Sequence, residues 1–426
     1  MNNIFKTVLI VFALIILTNN VHAWTTNQLT TNSVDKNVDI AVGSNDIVHR
    51  VYERDNKIYY STGNSEELVS NGNNPAIAIG PDNKPQIVFL NNGYWNYAKF
   101  NDSWSITTDI NSANSVDIAV DNNNNAHITY LSPDVDYYTR ASVMYTNNTG
   151  GSWSTSVALA SGYFSPGFGG SNGAYYSSPS IAVDSNGLYH VLFAAQSWQG
   201  NGRDSWQSVV VSTNAPIGSV GNDGWCWNCG GIALTKSNID MDANNKAWTV
   251  YSFGGQMYLG AIVGNTWNQK SLGTGSNPTI DVKGDILAIA YTDSSNNVKY
   301  IEGTIPSNYP ITDITFSIPS DVDVGTYPVV GIGSRFVDYI KSDQVFEGYI
   351  STGGNTLTCF GIRSTDTEVC SGNGVCGAQD TCTCENGYTG EDCSSAVADP
   401  QVPEFGVIAG AVALIGALGI FAFRRK

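Results

Sequence analysis

The sequence predicts an all-β protein, because its composition is rich in turn formers, its central part repeats, and each repeat contains short segments of alternating hydrophobicity. Charged residues make up 13% of the 426 positions, whereas Gly alone occupies 44. This composition favours many short strands joined by turns. The hydrophobic content of 42% is sufficient for a buried core, which excludes a disordered chain.

The charge balance excludes several classes of partner. The chain has 20 Lys and Arg against 37 Asp and Glu, a formal net charge of −17. Nucleic-acid binding needs clustered basic residues that neutralise phosphates, and anionic membrane surfaces attract basic segments. No nucleic-acid partner is therefore expected.

Residues 1–23 are predicted to be a secretory signal peptide. Lys6 precedes the apolar run Val8–Leu17, and the small-residue site Val21-His22-Ala23 follows it. Cleavage there leaves Trp24 as the first residue of the mature chain. A retained membrane anchor is the alternative.

Residues 24–355 repeat a strand–turn–strand pattern, most clearly in the copies that begin at Ser115 and Pro179. Each copy has alternating apolar residues, a turn of the Asp-x-Asn-Gly type and a second alternating run. An apolar marker near the start of each copy recurs every 37 to 63 residues, at Ile40, Ile77, Ile118, Ile181, Ile239, Ile280 and Val330.

Two further segments complete each repeat. A third segment carries Tyr or Phe, and a fourth begins with Trp, as at Trp104, Trp153 and Trp267. Four strands per repeat and seven repeats predict a seven-bladed β-propeller, with six or eight blades as alternatives. The last repeat lacks a fourth strand. The segment Trp24–Thr31 has the pattern to supply it, which would close the ring and remove two open sheet edges.

Six of the eight cysteines crowd into residues 356–394. In an exported protein such a small module is expected to be cross-linked by disulfides. Spacing alone leaves the connectivity open. A zinc site is the competing interpretation, although no His lies among these cysteines.

The cysteine spacing, with the run Gly387-Tyr388-Thr389-Gly390 before the last cysteine, resembles an EGF-like module. The resemblance implies three disulfides, which pair Cys359 with Cys376, Cys370 with Cys382, and Cys384 with Cys393. It implies no bound calcium, because the acidic residues that precede the first cysteine of the calcium-binding subtype are replaced by Asn355-Thr-Leu-Thr.

The remaining cysteines, Cys226 and Cys229, form a Cys-x-x-Cys pair. A redox-active pair needs a helix N-terminus that lowers the thiol pKa. The Gly-rich and Trp-containing surroundings offer no helix, so a small structural disulfide is predicted.

The C-terminal end is predicted to anchor the chain in a membrane. After a linker at 395–404, the uncharged apolar run 405–423 is long enough to cross a bilayer, and the basic tail 424–426 should remain cytoplasmic, with the body outside the cell. Pro403-Glu404-Phe405 before this helix resembles the PEF-type sorting signals of archaeal surface proteins. That resemblance implies a sorting enzyme that exchanges the helix for a lipid, whereas a plain transmembrane anchor is the alternative.

The segment Thr146–Trp153 resembles the Asp-box of sialidase-type propellers, with Asn148 in place of the aspartate. The resemblance implies the fold and not the activity, because those boxes lie far from the catalytic centre. A sialidase site also needs three arginines around the substrate carboxylate, and the arginines of this chain match no such motif. No catalytic residue is assigned, and the sequence favours binding over catalysis.

Three histidines, His49, His127 and His190, occupy equivalent places at the start of the second strand. They are expected to pack against the turn Asp of their own blade, as with Asp121 and Asp184, and not to bind a metal. These Asp turns resemble calcium loops superficially but lack the later bidentate Glu of an EF-hand. No metal or cofactor is predicted.

Three insertions, Ser132–Ser142, Ser161–Ser178 and Ala195–Ser205, should emerge on one face of adjacent blades. The candidate ligand-binding residues there are Tyr137, Tyr138, Arg140, Tyr163, Phe164, Phe168, Tyr175, Tyr176, Trp198 and Arg203. Exposed aromatic rings beside hydrogen-bonding groups suit a sugar or a protein partner. The alternative is that these rings pack the loops onto the propeller.

These features together predict a cell-surface recognition or adhesion protein that binds an extracellular glycan or a surface protein non-covalently. An extracellular enzyme acting on polysaccharide, as a glycosidase or lyase, and a structural component of the cell envelope are the alternatives. Asn101 and Asn147 begin glycosylation sequons.

Overall fold

The structure is a computed structural model, and its contacts divide the chain into two units, Met1–Gly354 and Asn355–Lys426. It describes residues 24–396 except 32–33, 64–65, 168–169, 200–202, 213–214, 228–237, 254, 264–265, 308–309, 333–334, 351–357, 360–361, 364–373, 379–380, 385–387, 390–392 and 394. The expected signal peptide and the apolar segment 405–423 lie outside these ranges. Among the helices of the described ranges, none is long and apolar enough to cross a membrane.

The first unit is a β-propeller, which confirms the predicted fold. Its strands form six hydrogen-bonded sheets, five of four strands and one of eight. The eight-stranded sheet contains two successive four-strand repeats, so the unit has seven four-stranded blades within six sheets. Within the described ranges of this unit, the one helical element is a short 3-10 turn, Ile311–Asp313.

The strands follow the chain blade by blade. Blades 1 to 3 contain β2 (Asp35–Val42), β3 (Val48–Arg54), β4 (Lys57–Ser61), β5 (Glu66–Asn71), β6 (Asn73–Ile79), β7 (Pro85–Asn91), β8 (Tyr94–Phe100), β9 (Trp104–Ser112), β10 (Ser115–Val120), β11 (Ala126–Leu131), β12 (Thr139–Asn147) and β13 (Val157–Gly167). Blades 4 to 6 contain β14 (Gly170–Val183), β15 (Tyr189–Gln199), β16 (Arg203–Ser212), β17 (Ala215–Trp227), β18 (Asn238–Met241), β19 (Ala247–Phe253), β20 (Gln256–Val263), β21 (Thr266–Thr274), β22 (Ser276–Lys283), β23 (Ile286–Thr292), β24 (Asn297–Thr304) and β25 (Ser320–Val324). Blade 7 contains β26 (Thr326–Gly331), β27 (Phe336–Lys341), β28 (Gln344–Ile350) and β1 (Trp24–Gln28).

The blades form a closed ring. The first strand of each blade contacts the first strand of the next, and β26 of blade 7 contacts β2 of blade 1. In blade 7, β1 pairs antiparallel with β28, so that Trp24 lies opposite Ile350 and Gln28 lies opposite Phe346. The N–H of Leu29 then donates to the carbonyl of Val345 at 2.9 Å. The first strand of the described chain thus supplies the fourth strand of the last blade, as a closed ring requires.

The tryptophans in the fourth segment of the repeat pack against tyrosines of the preceding blade. Trp104 packs edge-to-face on Tyr60 of the preceding blade with ring centroids 5.2 Å apart. Trp153 does the same on Tyr97 at 5.1 Å, although it lies in the turn before β13 and not within the strand. Trp24 packs on Tyr300 of blade 6 at 5.1 Å. The shared contact explains why Trp recurs at this place in the repeat.

One face of the ring, here called the turn face, is formed by the turns between the first and second strands of the blades. In blade 3 the carboxylate of Asp121 accepts the N–H groups of Asn123 and Asn125, each at 2.8 Å. Asp184 and Asp242 organise the turns of blades 4 and 5 in the same way. The Asp turn signals in the sequence therefore reflect local side-chain to backbone hydrogen bonds.

The opposite face, here called the loop face, carries the connections between second and third strands and between successive blades. Two of the three insertions expected there form extended strand pairs. The segment Ser161–Ser178 extends β13 and β14, which pair with Tyr163 opposite Ala174 and so join blades 3 and 4 in one sheet. The segment Ala195–Ser205 likewise extends β15 and β16, with Gln199 opposite Arg203. Their described Ser, Gly and aromatic residues continue the strand pairing, whereas Ser132–Ser142 contains an irregular loop.

The second unit contains three short two-stranded sheets. Its strands are β29 (Thr358–Cys359), β30 (Ile362–Arg363), β31 (Gly374–Ala378), β32 (Thr381–Cys384), β33 (Tyr388–Thr389) and β34 (Ser395–Ala396). A disulfide joins Cys384 and Cys393, with an S–S distance of 2.10 Å and a Cα–Cα distance of 5.3 Å. This is one of the three pairs that the EGF resemblance implies. The side chains of the other two pairs, and of Cys226 and Cys229, lie outside the described residues.

Candidate functional site

The loop between β11 and β12 is held rigid by short polar side chains. Its two ends are joined because the N–H of Ser132 donates to the carbonyl of Ser142 at 2.9 Å. At its tip the carboxylate of Asp136 accepts the N–H groups of Tyr138 and Thr139, each at 2.7 Å. The N–H of Thr139 and then that of Tyr138 hold the pKa of Asp136 below its usual range. The backbone that carries the tyrosines is thus fixed by local hydrogen bonds.

Arg140 is the centre of an aromatic cluster at the base of this loop. Its guanidinium carbon lies 5.6 Å from the ring centroid of Tyr137 and 5.7 Å from that of Phe164, distances at which a cation is attracted to a ring face. Its Nη1 pairs with the Asp134 carboxylate at 2.9 Å, and the other oxygen of Asp134 accepts the N–H of Ala141 at 2.7 Å. The charge of Arg140 is therefore balanced by Asp134.

The tyrosine rings of this cluster are exposed. Tyr137 is 58% exposed and Tyr138 59% exposed, and the neighbouring Tyr163 is 47% exposed. Tyr137 packs edge-to-face on Phe164 at 4.8 Å and on Tyr138 at 5.3 Å between centroids. The N–H of Phe164 donates to the carbonyl of Tyr138 at 2.8 Å, so the loop and β13 form one surface. The name "aromatic cluster" is used for Tyr137, Tyr138, Arg140 and Phe164.

The structure does not bring all ten sequence-predicted ligand residues together. Tyr176 packs edge-to-face on Phe193, with centroids 5.5 Å apart, against the core between blades 3 and 4. Three residues lie on described strands whose side chains are not described at these positions, namely Tyr175 on β14, Trp198 on β15 and Arg203 on β16. Phe168 lies outside the described residues.

The innermost strands line a central channel with a volume of about 290 Å³. Four aspartates that no sequence motif indicated line it: Asp39, Asp117, Asp240 and Asp281. Their signal in the sequence is an Asp inside an otherwise apolar strand.

Each of these carboxylates joins two blades. Asp39 accepts the N–H of Ile77 at 2.9 Å, and Asp117 accepts that of Ile181 at 2.9 Å. Asp240 and Asp281 accept the N–H groups of Val282 and Ile332 on their own following blades. These N–H groups lie in or directly after innermost strands and would otherwise face the channel without a strand partner. The four carboxylates are accordingly structural acceptors.

Burial governs the protonation of the channel aspartates. It raises the pKa of Asp117 to about 6, and the nearby charge of Asp39 raises it further. Burial and the neighbouring Asp281 raise the pKa of Asp240 well above its usual range. Among the described residues there is no group of three or more acidic, His or Cys side chains placed to hold a metal ion.

The histidines of the second strands take part in packing. Nδ1 of His49 lies 2.6 Å from the Tyr60 hydroxyl, and Nδ1 of His127 lies 2.8 Å from that of Tyr145. His127 also contacts its turn residue Asp121 through Nε2 at 3.4 Å, as predicted. His190 differs, because its ring nitrogens have no hydrogen-bond partner within the described part of the chain.

The two sequons lie at turns between third and fourth strands. Asn101 is exposed and its side-chain oxygen accepts a hydrogen bond from Lys84. Asn147 is half-buried at the end of β12, where its side-chain oxygen accepts the N–H of Thr149 at 3.0 Å.

Comparison with known proteins gives one family match and several structures of similar fold. Residues 368–396 match the family of Teneurin-like EGF domains, in agreement with the EGF-like module. Curated protein sequences gave no match. Solved structures with a similar fold include a PL25 ulvan lyase (TM-score 0.49, 10% identity, 76% of this chain and 96% of that one), an α-L-arabinanase from Penicillium chrysogenum (0.43, 11%, 63% and 93%) and the Hadza microbial sialidase Hz136 (0.37, 10%, 72% and 74%).

Proposed function

We propose that this chain is a cell-surface recognition protein that binds an uncharged polysaccharide non-covalently through the aromatic cluster on blade 3. The observation that carries the proposal is the exposure of Tyr137 and Tyr138, 58% and 59%, on a loop fixed by its own hydrogen bonds. Large exposed rings on a rigid backbone lose little conformational freedom when a ligand binds.

The chemistry of the cluster suits a sugar. The face of an aromatic ring packs against the C–H groups of a pyranose or furanose ring, and nearby hydroxyl and carboxylate groups accept or donate hydrogen bonds to sugar hydroxyls. Tyr137 and Tyr138 provide the rings and phenolic hydroxyls. Asp134, whose side chain is 47% exposed, provides a carboxylate beside them.

Electrostatics favour an uncharged polysaccharide over an acidic one. The formal net charge of −17 repels polyanions at long range. The one cation of the cluster, Arg140, is already paired with Asp134 at 2.9 Å. A carboxylate or sulfate on a sugar would have to compete with this pair.

The location of the protein is part of the proposal and depends on the sequence. The signal peptide 1–23 and the apolar segment 405–423 with its basic tail would export the chain and hold it at the cell surface. Cleavage at Pro403-Glu404-Phe405 by a sorting enzyme would exchange the membrane helix for a lipid.

A glycan array tests the proposal. The purified protein is applied to immobilised cello-, xylo-, manno-, laminari- and arabino-oligosaccharides, with acidic glycans on the same surface. We expect binding to at least one uncharged series, and loss of that binding in the double variant Tyr137→Ala, Tyr138→Ala. The matched control is Ile318→Ala, which removes an 83% exposed side chain from the connection between β24 and β25. Release of shortened sugars would indicate an enzyme instead, and absence of all binding would contradict the proposal.

A further inference from the structure

Tyr327 has a backbone conformation that bulky residues rarely adopt. Its φ is +53°, in the left-handed region, where β-branched and bulky side chains are outliers. The side chain is 56% exposed. Within the described part of the chain, neither a hydrogen bond nor a ring contact of this side chain offsets the strain. Strain of this kind concentrates at functional positions.

The same place in other blades is occupied by asparagine. Asn37, Asn74 and Asn277 have φ values of +53°, +47° and +49°. In each of these blades, and in blade 7, the pairing of the first strand with the second shifts by a bulge at this point. Asn tolerates the left-handed region better than other non-Gly residues. Blade 7 therefore carries Tyr where the fold accepts Asn more easily.

These bulges lie near the starts of four innermost strands, a few residues before the positions that line the central channel. The residues that follow Tyr327 on β26, Val329 and Val330, line the channel itself. Blade 1, which adjoins blade 7 in the ring, contributes polar groups at the equivalent position. Asn37 Nδ2 donates to Asn74 Oδ1 at 2.7 Å and to Glu53 Oε2 at 2.8 Å.

We propose that Tyr327 and the polar groups of this rim form a second saccharide subsite at the channel mouth. The inference rests on the proposed function and deepens it. Blades 1 and 2 separate Tyr327 on blade 7 from the aromatic cluster on blade 3. A ligand that contacts both must therefore be an extended chain that crosses the mouth, and not a single terminal sugar.

Titration with oligosaccharides of increasing length tests the inference. The probe is the uncharged series that binds on the array, from disaccharide to octasaccharide, measured by calorimetry on the purified protein. We expect the affinity of the wild-type protein to rise with length. In Tyr327→Asn the short members should bind as in the wild type, whereas the octasaccharide should bind about fivefold or more weakly, because one of two linked contacts is lost. Tyr327→Phe keeps the ring and should retain most of the length dependence.

The outcomes separate the inference from the proposed function. If no uncharged oligosaccharide of any length binds, the proposed function fails and the inference fails with it. If the wild-type protein binds but Tyr327→Asn binds the octasaccharide equally well, the second subsite is wrong and the proposed function stands. The melting temperature of Tyr327→Asn should equal or exceed that of the wild type, because Asn suits the backbone at this position. A lower melting temperature would contradict the argument from strain.

Discussion

Arg50 of blade 1 forms a buried ion pair with Asp338 of blade 7, with Nε and Oδ2 separated by 2.6 Å. The side chains are 4% and 0% exposed. A second nitrogen of Arg50 pairs with Glu347 on β28, the strand with which β1 pairs. The first and last blades are therefore joined by charge as well as by the strand that closes the ring.

Replacing Arg50 should destabilise the propeller strongly. In Arg50→Met, Asp338 and Glu347 remain buried without their cation, which should cost about 3–5 kcal/mol in the free energy of unfolding. Chemical denaturation measures the loss. The control is Lys283→Met, which removes the ion pair between Lys283 and Asp46. Because the Lys283 side chain is 52% exposed, this substitution should cost less than about 1 kcal/mol. Equal losses in the two variants would show that the buried pair does not hold the blades together.

The strand that closes the ring should also contribute measurably to stability. Trp24→Ala removes the edge-to-face contact with Tyr300 at 5.1 Å and the hydrogen bond from Nε1 to the Ser320 hydroxyl at 2.9 Å. We expect a loss of about 2–3 kcal/mol, below that of a fully buried Trp because Trp24 is partly exposed. Leu68→Ala, at a 50% exposed position on β5, is the control and should change little. A Trp24→Ala protein as stable as the control would contradict closure by β1.

Asp117 should make stability fall as the pH rises. Its pKa is raised to about 6 by burial and by the charge of Asp39. The folded state therefore holds the proton more tightly than the unfolded chain, so its contribution is complete below about pH 4 and is lost as the pH rises through 6. Relative to the wild type, Asp117→Asn should gain about 2 kcal/mol between pH 4 and pH 7. Denaturation curves across this range measure the difference.

The control for Asp117→Asn is Asp136→Asn, for which the expected change in stability with pH has the opposite sign. Backbone N–H groups lower the pKa of Asp136, so its contribution is present at neutral pH and is lost on acidification. Asp136→Asn should thus become relatively less stable as the pH rises. A pH profile of Asp117→Asn parallel to that of the wild type would mean that burial does not raise the pKa of Asp117.

His49 should make the protein sensitive to acid. Burial, with a smaller contribution from Arg50, lowers its pKa to about 4. The unfolded chain binds a proton near pH 6.5, so stability is complete above that value and is lost as the pH falls toward 4. His49→Gln should remove about 3 kcal/mol of this loss between pH 7.5 and pH 4.

Blade 2 provides the precedent for the His49 substitution. Gln86 fills the equivalent place and accepts the Tyr97 hydroxyl at 2.6 Å, so Gln should also accept the hydroxyl of Tyr60. Stability at pH 7.5 should therefore change little in His49→Gln. Acid unfolding at the same pH in wild type and variant would refute the assignment of the acid sensitivity to His49.

The repeat and its turns were predictable from the sequence because their causes are local. Asp121 forms its hydrogen bonds to residues two and four positions later, so the turn signal lies within one short segment. The place of Trp24 in a fourth strand was also predictable from the sequence, since Trp104 shows the same pattern at the start of a fourth strand.

The remaining features depend on contacts between distant parts of the chain. Asp39 and Asp240 bond to backbone groups of the following blade, and in the sequence they appear only as polar interruptions of an apolar strand. The extension of β13 and β14 into one hairpin depends on pairing between blades and not on strand propensity. The strain at Tyr327 follows from the bulge at the channel mouth, which the sequence around Pro328 does not reveal.

Calorimetric titration of the aromatic cluster tests the central claim most directly. The uncharged oligosaccharide that binds on the array is titrated into the wild-type protein, Tyr137→Ala and Ile318→Ala. We expect Tyr137→Ala to bind at least about tenfold more weakly, since a stacking ring at the centre of a small binding site contributes more than about 1.4 kcal/mol. Ile318→Ala should bind like the wild type. Equal affinity in all three proteins would contradict the assignment of sugar binding to this cluster.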